Sequence, residues 1–439
     1  MKKIIISVLI SIASLSAFSQ GTNVYSFFFN YVQSGFKYPL IGFINTANGE
    51  YAGLQLGFIN TNRGAFAGAQ IGFVNTVTDS VRGAQVGFVN TATNDVSGAQ
   101  IGFVNTATQQ PGKAQMGFVN TAVKAMDGAQ LGFVNTVADS VHGAQIGYVN
   151  TAVGSVDGVQ IGFANTAMGS VQGAQIGFAN SASSSINAAQ IGFVNTAAGD
   201  VTGAQLGFVN TAAGNVSGTQ IGFVNVATKK LKGMQLGFIN YTDSVEAGIP
   251  IGFLSIVRHG GYQALELSVS EYYPATIAFK IGVEKFYTSL FFGYNPSQSN
   301  QSDMSDFATG AGFGTFIPIK NNFFFNPELN FMLPINRYKS GNKTTDQTIM
   351  PEDIVEETET PREWYRQITS FAPYFGYNFN AHCSLAVAPT ISWSSVNATF
   401  EDGTAYNEVA EPLFSIATHK INDKHSVVIG ARAALRWRF

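Results

Sequence analysis

Charge is what this 439-residue sequence has least of. Asp, Glu, Lys and Arg make up 12% of it, about half the usual share. The 24 basic and 27 acidic side chains leave a formal charge of only −3, so no basic surplus points to a nucleic-acid partner. Cysteine is nearly absent: Cys383 stands alone, which excludes an internal disulfide and a cysteine-rich metal site. Beyond a short N-terminal apolar segment there is no run of eighteen apolar residues, so a helical membrane span is not expected. Low charge combined with 13% aromatic residues argues against a disordered chain. Glycine (47) and phenylalanine (37) are abundant, and they set the expectation of a β protein.

Residues 1–19 read MKKIIISVLISIASLSAFS. Lys2 and Lys3 form a basic start, Ile4 to Ile12 a short apolar core, and Ala17 and Ser19 flank a cleavage point before Gln20. This is the form of a secretory signal peptide, and the apolar run is too short to span a bilayer. No cysteine follows the cut, so lipoprotein anchoring is not expected. The expectation is an exported protein.

From residue 40 the chain repeats every fifteen residues, as GAQIGFVNTVTDSVR (68–82) and GAQVGFVNTATNDVS (83–97) show. The core glycine recurs from Gly42 through Gly57 and Gly72 to Gly252, giving fifteen copies. The next residue is Phe in every copy but one, where Tyr148 stands. Within a copy Ala69, Ile71 and Phe73 alternate with Gln70, Gly72 and Val74, which is strand period. A shorter segment around Val81 follows, with turn-forming Thr76, Asp79 and Ser80 between. One such unit cannot bury its apolar face alone, whereas stacked coils can. The predicted fold for 40–255 is a β-solenoid, with Ile71, Phe73 and Val81 inside and Gln, Asn and Thr columns at faces and corners. Small residues at Ala92, Ala107 and Ala122 suit a thin interior. The rival is one strand of a large barrel per copy, but no aromatic girdles bracket the single mid-copy Phe.

The regular outer face is the candidate binding surface of the repeats: Gln70, Val74 and Thr76, with Gln85, Val89, Thr91, Gln100, Val104 and Thr106 in the next two copies. Such columns also follow from stacking geometry alone, and copies this uniform cannot host one asymmetric active site.

Past residue 256 the repeat stops and alternation continues. Val427, Ile429, Ala431, Ala433, Leu435, Trp437 and Phe439 share one face of the last strand, with Gly430, Arg432, Arg436 and Arg438 on the other. Large apolar residues on one face, small and polar ones on the other, in strands of about ten residues, predict an antiparallel membrane β-barrel of about 8–10 strands over 256–439. Nine strands are counted: 261–271, 274–283, 284–295, 305–318, 321–334, 366–379, 382–400, 405–420 and 425–439, with 248–258 either a tenth or a cap on the solenoid. An odd count puts the long segment 335–365 on the same side as Phe439, against the usual placement of long loops. Glu266, Lys280, Glu328, Arg432 and Arg436 are the predicted lumen residues, filling a barrel this small or lining a narrow pore.

Other polar groups read as ordinary. The acidic run Glu352, Asp353, Glu356, Glu357, Glu359 lacks the spacing of a calcium loop, and Glu401-Asp402-Gly403 reads as a hairpin turn. No two of His142, His259, His382, His419 and His425 have metal-ligand spacing. No phosphate loop or nucleophile elbow occurs. The expectation is a protein that is not an enzyme, with no catalytic, cofactor-binding or metal residues and no cofactor.

The repeat GxQxGFxNTA, carried here by residues such as Gly68, Gln70, Gly72 and Asn75 over roughly 40–255, resembles the surface-repeat family of leptospiral bacteria. The tail from Gly248, GIPIGFLSIVRHGGY followed by LELS at 265–268, looks like the barrel tails of Bacteroidota-type outer-membrane proteins. The resemblance implies a surface or outer-membrane location and no defined activity. The combined expectation is a signal peptide (1–19), a lead-in (20–39), a solenoid (40–255) and an outer-membrane barrel (256–439). Its role would be structural, adhesive or macromolecule-binding, with the solenoid at the cell surface. The alternative is a small pore or an accessory subunit of an envelope complex, with the solenoid as plug or periplasmic adaptor. Expected partners are outer-membrane lipid, a polysaccharide or another envelope protein, and no nucleic acid.

Overall fold

A computed structural model describes residues 23–296, 307–335, 363–399, 405–406, 412–422 and 424–439. The expected signal peptide, the acidic run 352–359 and the turn at 401–403 lie outside the described residues. The fold is all-β: a parallel β-solenoid of about fifteen turns, then a closed eight-stranded antiparallel barrel. The chain divides into two compact units, Met1–Thr228 and Lys229–Phe439.

In the first unit each strand pairs in parallel with the segment fifteen residues on. Phe66–Val77 against Val81–Ala92 aligns Gln70 with Gln85, Ile71 with Val86 and Asn75 with Asn90. Most copies bend at the Gly–Phe pair into two short pieces, such as Ala129–Leu131 and Val134–Val137. The shorter segment predicted around Val81 survives as a single bridge per coil, for example Val141 to Val156. Stacking begins one coil before the recognisable repeat, because Phe29–Gln33 pairs with Ile44–Asn48 and Asn30 Nδ2 donates to Asn45 Oδ1 at 2.7 Å.

The inside of the coil corrects the sequence reading. Gln70, Asn75, Val77 and Val81 are fully buried, whereas Ile71 and Phe73 are 40% and 45% exposed. Strict alternation fails at the bend. Gln70 and Gly72 face in and Ile71 and Phe73 face out, but Asn75 and Val77 also face in, because the bend shifts the parity by one residue. The inward position before the bend accepts only glycine, since a Cβ on Gly72 would stand 2.1 Å from the Gly57 carbonyl oxygen. Amides suit this thin interior because each serves both neighbours. Asn75 Nδ2 donates to Asn90 Oδ1 at 2.8 Å and to the Val86 carbonyl at 3.0 Å. Gln85 Nε2 donates back to Gln70 Oε1 at 2.8 Å and to the Thr91 carbonyl at 3.2 Å. Both hydrogens of these two NH2 groups are satisfied, and the same pair of bonds recurs in most coils, while Gln55 Nε2 at the start of the glutamine ladder lacks a partner among the described residues. The small columns, Ala92, Ala107 and Ala122, are buried as predicted.

The second unit opens with the last coils. Met234–Val245 pairs with Ile249–His259, placing Pro250 beside Gln235 and Ser255 beside Asn240. These two replacements end both ladders: Asn240 Nδ2 donates to Ser255 Oγ at 3.3 Å, and Ser255 Oγ donates to the Pro250 carbonyl at 3.3 Å. The last parallel strand ends at His259 and Gly260–Gly261 leads into the barrel, so the solenoid runs slightly past the expected 255.

The barrel staves are Tyr262–Val269, Ala275–Val283, Phe286–Tyr294, Phe307–Gly314, Phe323–Pro334, Glu363–Asn378, Cys383–Thr399 and His425–Arg438. Each pairs antiparallel with the next, and the last closes on the first, with Arg436 opposite Glu266. The count of nine is corrected at 405–420. Ala405–Tyr406 only extends the seventh stave at Ala398–Thr399, and Ala417–Asn422 forms a hairpin on the eighth, which itself pairs with the seventh along Cys383–Ser395. The segment 248–258 belongs to the final coil. As predicted, large apolar residues such as Phe279, Leu329, Trp393 and Leu435 face outward, while Glu266, Lys280, Glu328 and Arg436 are buried inside.

With eight staves the three longest connections fall at one end of the barrel. At the end where the chain enters from the coils lie 284–285, 315–322, 379–382 and the terminal Phe439. At the other end lie 270–274, 295–306, 335–362 and 400–424.

Candidate functional surfaces and the barrel interior

Two regions concentrate what this chain offers chemically. One is the outer face of the repeats. The Gln members of the predicted face, Gln70, Gln85 and Gln100, are buried ladder residues and present nothing outward, which corrects that part of the expectation. Val74, Val89, Val104 and Thr76, Thr91, Thr106 are partly exposed beside the bend. The dominant exposed features are the columns the sequence reading placed inside. From Phe43 to Phe223 thirteen aromatic rings stack at 4.8–5.1 Å with interplanar angles of 5° or less. Each ring hides its faces against its neighbours and shows its edge. The Ile71 column runs beside it.

Five columns, those of Ala69, Ile71, Phe73, Val74 and Thr76, hold no charged residue from 39 to 226. Charge sits off these columns, on the turn segments and at Arg82, and exposed pairs such as His142 Nδ1 with Asp127 Oδ1 at 2.9 Å lie there. The Asp79 carboxyl, held by Asn94 and Ser80, lies below the ordinary aspartate range. This confinement was legible in the sequence and is the signal that the alternation reading passed over.

The other region is the barrel interior. The structure brings four of the five predicted lumen residues into one network. Lys280 Nζ contacts Glu266 Oε2 at 2.7 Å and also reaches Glu328. Arg436 Nη2 lies 3.1 Å from Glu328 Oε1, and its Nε donates to Glu266. Two cations face two carboxylates, so the buried charge balances. Asn326, Tyr287 and Tyr374, which the sequence reading did not single out, complete it. Arg436 donates to Asn326, Tyr287 donates to Glu328, and the guanidinium carbon of Arg436 stands 4.6 Å from the centre of the Tyr374 ring. All three share the inward parity of their staves, which is how the sequence could have yielded them. Arg432, the fifth residue, is partly exposed, and its guanidinium lies beside Tyr374 and near Glu271. Farther from the coil end, buried Glu271 accepts from Ser392, which contacts Ser370 at 2.9 Å.

The layer fills the lumen at its level with side chains 0–4% exposed. Among the described residues no three His, Cys, Asp or Glu side chains converge as metal ligands would. Compared with known protein families, characterised proteins and solved structures, the chain finds no match.

Proposed function

We propose that the chain is an outer-membrane protein whose barrel is an anchor with a filled lumen, and that it holds the repeat stack on the periplasmic side as an envelope scaffold. One observation carries the reading. The three longest connections, 295–306, 335–362 and 400–424, share one end of the barrel with the short 270–274, while 284–285, 315–322, 379–382, the start of the first stave, the end of the last and the final coil share the other. Outer-membrane barrels turn tightly in the periplasm and loop long outside. The coils precede the first stave, and the lumen they would have to thread is occupied. This favours the opposite side from the surface display expected from sequence.

The outward apolar belt and the presequence-like start of residues 1–19 support bilayer insertion and export. The balanced ion-pair layer argues for a stabilising plug over a pore. The likeness to leptospiral-type surface repeats stays a proposal resting on the Gly, Gln, Gly and Asn columns, and no enzymatic role is part of the reading.

Protease treatment of intact cells carrying one epitope tag in the repeats and another within 341–363 tests this. The 341–363 tag is lost from intact cells, and the repeat tag survives until the outer membrane is breached. Loss of the repeat tag from intact cells overturns the periplasmic assignment and restores surface display.

A further inference from the structure

The exposed aromatic ladder is a surface that water does not tolerate bare. With roughly 200 Å² per aromatic side chain and about 45% of it exposed, thirteen rings present about 1,200 Å² before the Ile column is added. The largest apolar patch on a typical soluble monomer is about 300–600 Å². A stable dimer buries about 800 Å² on each partner. We infer that a second copy of this chain covers the face, the two stacks lying side by side and parallel, coil beside equivalent coil.

Three features favour this occupant. The first is periodicity. Ring edges and Ile side chains repeat at 4.8–5.1 Å along the whole stack, and a second stack presents the same period over the same length. Ridges of one copy then seat between ridges of the other without drift. A twofold axis along the stack makes the contact self-complementary and closed.

The second feature is charge. Residues 40–228 carry four basic and seven acidic side chains, none of them on the five uncharged columns. No basic rim flanks the apolar face to grip an anionic membrane surface, which interfacial membrane binding uses. Two copies meeting through the five uncharged columns bury no unpaired charge.

The third feature is ring geometry. The ring faces are already covered by one another, so the stacking platform that a sugar or an inserted acyl chain needs is absent, and only a ridge remains. Parallel rather than antiparallel pairing rests on the membrane-anchored reading above, since two copies in one bilayer send their coils to the same side; pairing itself does not.

The test uses the full chain in a Cys383→Ser background, with single cysteines at Leu56 or Leu206 on the Ile column and at Asn94 on a turn. Purified protein in detergent is sized by sedimentation, and outer-membrane fractions are oxidised. The expected result is twice the chain mass of 46.8 kDa, with efficient 56–56 and 206–206 disulfides and none at 94. The triple variant Phe118→Glu, Phe133→Glu, Phe163→Glu is expected to raise the dimer dissociation constant at least a hundredfold. Should it fail to fold, the single-cysteine proteins still decide. A monomer without disulfides at any concentration overturns the inference, as does equal crosslinking at 94 or a monomer carrying phospholipid on the face. A 56–206 disulfide as the sole product overturns the parallel arrangement. The tag experiment above reports independently on the side of the membrane.

Discussion

Replacing a polar residue by an apolar one of similar size tests the interior of the coil most sharply. Gln130 donates to Gln115 Oε1 at 2.7 Å and to the Thr136 carbonyl at 3.3 Å, and accepts from Gln145 Nε2 at 2.9 Å. Gln130→Leu orphans the Gln115 oxygen and one Gln145 hydrogen, each a buried group whose loss of partner costs about 1–3 kcal/mol. Burying the leucine side chain offsets roughly 2 kcal/mol of that. The net local loss is about 2 kcal/mol, roughly a thirtyfold rise in the opening equilibrium. If glutamine faced solvent, as plain alternation suggests, the same change would fall within about 0.5 kcal/mol of neutral. Phe133→Tyr is the counterpart. Its ring edge is exposed and Tyr148 already occupies the equivalent place one coil on, so its expected effect is near zero. A buried ring would leave the new hydroxyl without a partner and lose about 1–3 kcal/mol. Hydrogen exchange of peptides across 129–152, read by mass spectrometry in the intact chain, reports local opening in a repeat stack. Unchanged exchange in Gln130→Leu together with faster exchange in Phe133→Tyr would refute the inside-out assignment.

Other outcomes follow from the same geometry. Gly132→Ala places a methyl 2.2 Å from the Gly117 carbonyl oxygen, so the coils there must part, and exchange in peptides on both sides of 132 should accelerate more than in Gln130→Leu. Glu328→Gln leaves Lys280 and Arg436 sharing Glu266, an uncompensated buried charge worth about 3–5 kcal/mol that should appear as a lower barrel melting temperature in detergent. Adding Lys280→Met to that variant restores charge balance and should recover most of the loss; if it deepens the loss, the pairing assigned to the lumen is wrong. Purified protein in planar bilayers should show no steady conductance, and stepwise channel currents from the wild-type chain would contradict a filled lumen.

The sequence by itself determined more of the architecture than of the surfaces. The fifteen-residue period fixed parallel in-register stacking, because identical neighbours bury one another only at equal offset. Alternation from Tyr262 onward fixed a barrel with Phe279 and Trp437 outward and Glu266, Lys280, Glu328 and Arg436 inward, since two-residue periodicity allows only two parities. Within the coil the same rule failed. Alternation presumes an unbroken strand, and the bend at Gly72–Phe73 shifts the parity by one residue. Only the structure could show that the coil is too thin for Phe73 and that Asn75 and Gln70 each bond their own equivalents in neighbouring coils. The stave count had the same kind of limit. Residues 405–420 have strand-like composition, but a stave is defined by its two neighbours, and closure between Cys383–Thr399 and His425–Arg438 leaves them outside the ring. That closure put the three longest connections at one end and the entry of the chain at Tyr262 at the other, because strand parity around a closed barrel is set by pairing partners that lie far apart in the chain.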